Sequence, residues 1–241
     1  MIKEVILLND KLVKLFNRCL QAKYINTPES GNYSIEVCRN TIYVLFEWSN
    51  GAEDWKNNFH FLPTRISEFK GFFKNIKLFL KTIIMDIRTP KKPYKNMSCV
   101  WRCHSGFLKV YNAMKDDIKA KIIEILRVKT NIKNIVCVGY SHGGALSLLA
   151  TEDLTGIYGE SLHVSGYGFG APRVIWGYVP KQIKARLKNY TVIRNSNDIV
   201  THVPPSIFGF RDVGNMYTIR GTEYTNPIKS HISDEYINNL T

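Results

Sequence analysis

The chain has no apolar run of the about eighteen residues that a helix needs to cross a bilayer, so no membrane-spanning helix is expected. It has no internal repeat, no low-complexity tract and no Ser/Gly-rich linker, which argues against a solenoid or a string of modules. Acidic residues are scarce: 20 Asp and Glu stand against 33 Lys and Arg in 241 residues, a net charge of +13. Such a balance favours anionic partners such as nucleic acid or anionic lipid, although the even scatter of Lys, Asn and Ile equally fits a generally lysine-rich composition. No tight basic block with interleaved aromatics is present, so a nucleic-acid partner is not expected. Cysteines are few and odd in number, at positions 19, 38, 99, 103 and 137. Without metal-ligand spacing they predict reduced thiols and no metal, and no cofactor is expected. The first 20 residues lack a secretory apolar core and a small-residue cleavage site, so they read as an amphipathic helix. A cytoplasmic or host-intracellular location follows as the expectation, with secretion left open.

What is present is ordinary for a globular domain: 44% hydrophobic and 22% charged residues, in a length that suits one large α/β domain. The most informative stretch runs from Ile135 to Ala150. Ile135–Val138 is short, apolar and β-branched, as a buried strand should be. Gly139-Tyr140-Ser141-His142-Gly143 follows, then Gly144 and an Ala/Leu-rich helical pattern. Gly-x-Ser-x-Gly between a strand and a helix is the context of a nucleophile elbow. The glycines leave room for a sharp turn that lifts the serine hydroxyl clear of the sheet. The helix start brings backbone N–H groups beside the oxygen that becomes negative during acyl transfer.

Along the rest of the chain, a helix is expected over about 3–20 and strands over 33–38 and 41–48. Apolar residues recur at three- and four-residue steps over 66–87, with Lys70, Lys74, Lys77 and Lys81 between them. This basic, Phe-rich stretch suits a lid, a membrane-surface helix or a helix packed on the sheet, and Phe69, Phe72 and Phe73 are its candidate substrate contacts, together with Trp48. A strand over 97–103, a helix over 108–128, a strand over 161–169, a short helix over 179–187, a strand over 190–194, a strand pair over 213–220 and a last short helix opened by His231 complete the reading. Strands alternating with helices predict an α/β fold with a mostly parallel sheet.

A serine hydroxyl needs a base, and the base needs an acid that fixes its tautomer. In α/β-hydrolases the chain order is Ser, acid, His. His163 lies in a predicted strand before any plausible acid, and His202 is only four residues from Asp198. His231, on its own loop after the last strand, is the candidate base. Asp198, just past a strand end, is the candidate acid, with Asp153, Asp212 and Asp234 as competitors. The oxyanion donors would be the backbone N–H of His142 and a group from Ser49.

These residues, taken together, resemble the class 3 (fungal-type) triacylglycerol lipases. The resemblance rests on Gly139–Ala145, on His104-Ser105-Gly106-Phe107, and on Phe169-Gly170-Ala171-Pro172-Arg173-Val174. It also rests on Asn197-Asp198-Ile199-Val200 with Val203-Pro204-Pro205, and on His231 followed by Tyr236. It spans most of residues 33–236. It implies an α/β-hydrolase fold in one domain, a Ser141–Asp198–His231 triad cleaving carboxylic esters through an acyl-enzyme, and Ser49 as second oxyanion donor. Two departures stand out. Glu47-Trp48 replaces the Arg-Gly that such lipases carry before the oxyanion residue, and residues 64–93 look like an inserted helix. The expected partner is a lipid or ester substrate, with peripheral contact to an anionic membrane surface. Acyl transfer or phospholipid cleavage on the same triad, and an inactive basic membrane-binding protein, are the alternative readings.

Overall fold

The computed structural model describes residues 2–27, 31–48, 102–220 and 229–241. Ser49, Phe69, Phe72, Phe73 and the expected insert at 64–93 lie outside the described residues. Among the described residues, no helix is long and apolar enough to cross a membrane.

The frame is a six-stranded sheet. It contains β1 (Tyr33–Cys38), β2 (Thr41–Phe46), β4 (Asn134–Tyr140), β5 (His163–Phe169), β7 (Tyr190–Asn195) and β9 (Asn215–Ile219), in that spatial order. β1 and β2 form an antiparallel hairpin in which Cys38 pairs with Thr41, and every later pairing is parallel. A second, three-stranded sheet joins β3 (Arg102–Cys103), β6 (Ile175–Trp176) and β8 (Phe210–Arg211), all antiparallel. The helices are α1 (Ile2–Gln21), α2 (Ser105–Val128), α3 (His142–Tyr158), α4 (Lys181–Arg186) and α5 (Ser233–Leu240).

Side-chain alternation along the strands produces the layers. Ile42, Val44 and Phe46 of β2, with Ile135 and Cys137 of β4, face a cluster built from Tyr111, Met114, Ile118 and Ile122 of α2 and the buried face of α3. The intervening Leu45, Val138 and Tyr140 face the opposite cluster, formed by Leu12, Leu15, Phe16 and Cys19 of α1 and Tyr236 and Leu240 of α5. The α1 positions follow helical spacing, which is why that helix buries one stripe on the sheet. Phe16 stacks on Phe169 with ring centroids 4.5 Å apart and meets Tyr140 edge-on at 5.3 Å. A fully buried phenylalanine of this kind is typically worth about 3–5 kcal/mol when truncated to alanine.

The α/β expectation holds, with local corrections. The second strand ends at Phe46 rather than Trp48. The strand pair expected over 213–220 is a single strand, β9, because Gly214 (φ +76°) turns the chain just before it. The described part of the strand expected over 97–103, Arg102–Cys103, joins the small sheet and not the main one. Strand β6 had no counterpart in the sequence reading, since two residues carry no periodicity.

Candidate active site

Strand β4 delivers Ser141 to the C-terminal edge of the main sheet. Ser141 holds φ +55° and ψ −120°, a conformation that costs about 1–3 kcal/mol in a residue with a Cβ. Its surroundings enforce that turn. The Ser141 N–H donates to Phe169 O at 2.8 Å, and the Ser141 carbonyl accepts from Gly144 and Ala145 at 2.9 and 3.3 Å. The flanking glycines are sterically required: a Cβ on Gly139 would lie 1.9 Å from Gly143 O, and one on Gly143 would lie 2.3 Å from Phe46 O. Strand end and helix start therefore touch backbone to backbone.

His231 ends the 3₁₀ turn Lys229–His231 ahead of α5. Its Nε2 lies 2.8 Å from Ser141 Oγ, and its Nδ1 lies 2.8 Å from Asp198 Oδ2. A carboxylate can only accept, so Nδ1 carries the proton and Nε2 accepts from the serine hydroxyl. Asp198 is fully buried and follows β7, where it caps the 3₁₀ turn Ile199–His202 by accepting at Oδ1 from the Val200 N–H at 2.8 Å. Its Oδ2 also accepts from the Tyr236 hydroxyl at 2.5 Å. Burial first, and the Asp198 charge second, push the Tyr236 phenol far above its ordinary range, so it remains a donor. Gly170, at φ +56°, gives the imidazole its space: a Cβ there would sit 2.8 Å from His231 Cε1 and 3.1 Å from Asp198 Oδ2.

The loop carrying His231 is itself fastened to the sheet. The Tyr140 hydroxyl donates to the His231 carbonyl, and its ring stacks on the imidazole at 5.2 Å and 24°. Asn195 Nδ2 donates to Ser230 O at 2.7 Å. The sequence reading missed both positioning roles. Tyr236 belongs to a motif legible in the sequence, but only the fold brings its hydroxyl to the acid.

Two of the competing carboxylates are engaged elsewhere. Asp212 forms a two-point pair with Arg173, at 2.9 and 3.2 Å. Asp153 binds Lys119 at 2.7 Å and accepts from the Tyr111 hydroxyl at 2.9 Å. Asp234 lies in the first turn of α5, and His163 is exposed at the start of β5.

His142 opens α3, so its N–H and that of Gly143 have no acceptor within the helix. They lie at the positive end of the helix dipole, next to Ser141. The His142 ring belongs to a different neighbourhood, 5.5 Å from Phe107, which in turn lies 4.6 Å from His104. Burial, and the neighbouring His104, hold the His142 imidazole down at about 4, so it is neutral at pH 7. Trp48, a candidate substrate contact, is half-buried in the α1-side cluster, with its ring 6.2 Å from Tyr140 and 6.3 Å from Tyr24. Among the described residues no group of three or more His, Cys, Asp or Glu could hold a metal ion.

A family model described as Lipase (class 3) matches residues 43–208. The chain belongs to the class 3 lipase family. It is accordingly a lipase-type serine ester hydrolase with the α/β-hydrolase fold. Solved lipases share that fold. The native Rhizomucor miehei lipase propeptide complex is 21% identical with a TM-score of 0.62, covering 100% of this chain and 77% of that one. Lipase II from Rhizopus niveus is 24% identical with a TM-score of 0.59, over 82% of this chain and 65% of that one. A mutant form of MDLA from Penicillium cyclopium is 17% identical with a TM-score of 0.61, over 95% and 84%. A search of curated protein sequences finds no match.

Proposed function

We propose that this class 3 lipase cleaves lipid carboxylic esters through an acyl-enzyme on Ser141, with His231 as base and then acid and Asp198 as its orienting carboxylate. One observation carries the reading: a single imidazole reaches Ser141 on one side and Asp198 on the other, each at 2.8 Å. As Ser141 Oγ attacks the ester carbonyl, its proton passes to His231 Nε2. The imidazolium that forms is stabilised by Asp198 and returns the proton to the leaving alcohol. Water then repeats the sequence and releases the acid. The His142 N–H is one donor to the tetrahedral oxyanion, and Ser49 is the proposed second. One such donor is typically worth about 3–4 kcal/mol of transition-state stabilisation.

Ser141 is only 2% exposed and the His231 side chain 14%. Family membership supports a lipid ester met at an interface as the substrate of this largely buried site. Short- and long-chain p-nitrophenyl esters, assayed with wild type and Ser141→Ala, test the proposal. Turnover should depend on Ser141 and rise once the long-chain ester aggregates. Equal turnover by Ser141→Ala would end it.

A further inference from the structure

The small sheet carries two large apolar side chains that project into solvent. Tyr178 is 78% exposed and Ile207 is 83% exposed. They sit on adjoining turns. The Gly177 N–H donates to Gly209 O at 2.8 Å, and Trp176 Nε1–H donates to Phe208 O at 2.7 Å. Positive φ at Gly177 (+77°) and Gly209 (+91°) shapes both turns, so the two side chains protrude from a hydrogen-bonded platform.

The surroundings of that platform are basic. Lys184, Lys188 and Arg211 line one open groove of about 780 Å³ with Tyr178. Among the described residues, no carboxylate pairs with any of the three. Asp212, the groove's acidic residue, is occupied by Arg173. Arg102 lies over the Trp176 ring at 5.3 Å, adding a fourth cation to the same small sheet. Side-chain contacts connect this sheet to the catalytic centre: His142 beside Ser141 meets Phe107, Phe107 meets His104, and His104 meets Phe210 of β8 at 6.1 Å.

We propose that this face seats the enzyme on an anionic lipid surface, with Tyr178 and Ile207 entering the headgroup boundary and Lys184, Lys188, Arg211 and Arg102 meeting lipid phosphates. The pairing of protruding apolar groups with cations that no described carboxylate neutralises is what such a surface selects. The first gain from leaving water, and the second from the negative surface potential. A nucleic acid would use the cations but leave Ile207 without a partner. The proposal rests on the lipid-ester reading above and deepens it, because it names the class of surface that presents the substrate.

The test is co-sedimentation of the full-length protein with vesicles of phosphatidylcholine alone and of phosphatidylcholine mixed with an equal amount of phosphatidylglycerol. Wild type should prefer the anionic vesicles, and added salt should weaken the preference. Each basic residue near such a surface contributes about fivefold, so combined Lys184→Gln, Lys188→Gln and Arg211→Gln should lower partitioning on the order of a hundredfold. Tyr178→Ser with Ile207→Ser should weaken binding to both vesicle types by roughly tenfold or more. Both variants should hydrolyse a soluble short-chain p-nitrophenyl ester at the wild-type rate. Wild-type binding by both variants, equal wild-type binding to the two vesicle types, or retention on duplex DNA without vesicle binding would each overturn the proposal. Failure of the hydrolase reading would look different: wild type would leave the soluble ester intact while its vesicle partitioning remained measurable.

Discussion

The two flanks of Ser141 are built from different materials. On the His231 side, Asp198, Tyr236, Tyr140 and Asn195 form a buried network in which each polar group has a partner. On the His142 side, His104, Phe107, His142 and Phe210 meet mainly ring to ring. The contrast separates two tasks. Proton transfer requires fixed atoms, and the network holds them. Under the proposed reading an acyl chain needs apolar walls, and the aromatic side is the candidate for them.

Substitutions on the polar flank should be the more damaging for chemistry. Ser141→Ala or His231→Ala should each lower kcat roughly 10⁶-fold, and the double variant should be scarcely worse, because the residues act as a unit. Asp198→Asn should cost roughly 10⁴-fold, by presenting His231 in the wrong tautomer. Tyr236→Phe removes a hydrogen bond to a charged acceptor, worth about 1.5–3 kcal/mol, so kcat should fall about ten- to a hundredfold with KM little changed. If KM rose while kcat held, Tyr236 would belong to substrate binding and the division between flanks would fail.

On the aromatic flank, His142→Leu should leave kcat for a short ester within a few-fold while changing chain-length preference. It should also alter the pH dependence of stability. The folded imidazole is held at about 4, below its ordinary 6.5, so the unfolded chain binds a proton first as pH falls. The stabilisation is complete above about pH 6.5 and is lost progressively toward pH 4. Melting temperatures of the wild type should therefore drop more steeply across that window than those of His142→Leu, and parallel curves would contradict the assignment. The smallest effect concerns thiols. Burial pushes Cys19 and Cys137 up to about 12, whereas Cys38 is exposed. Alkylation at neutral pH should therefore mark Cys38 and spare the other two without loss of activity.

Much of this site could be read before the fold was known, because elbows advertise themselves locally. Gly139, Ser141 and Gly143 lie within five residues, and their close contacts are a property of one turn. Asp198 and His231 followed from chain order and from loops placed after strands. The positioning residues left no such trace. Tyr140 reaches a carbonyl 91 residues away, and the tyrosine looks like any apolar strand residue until β4 and the base loop are side by side. Asn195 reads as an ordinary strand end. The short strands of the small sheet gave no alternation to detect, and β9 was misread as two strands because the turn at Gly214 falls at its start.

The central claim is that Ser141 is the nucleophile activated through His231. Treating the wild type with a fluorophosphonate and locating the adduct by peptide mass spectrometry tests it most directly. The account predicts one adduct, on Ser141, with its formation collapsing in His231→Ala. An adduct on another residue, or undiminished labelling of Ser141 without the imidazole, would contradict it.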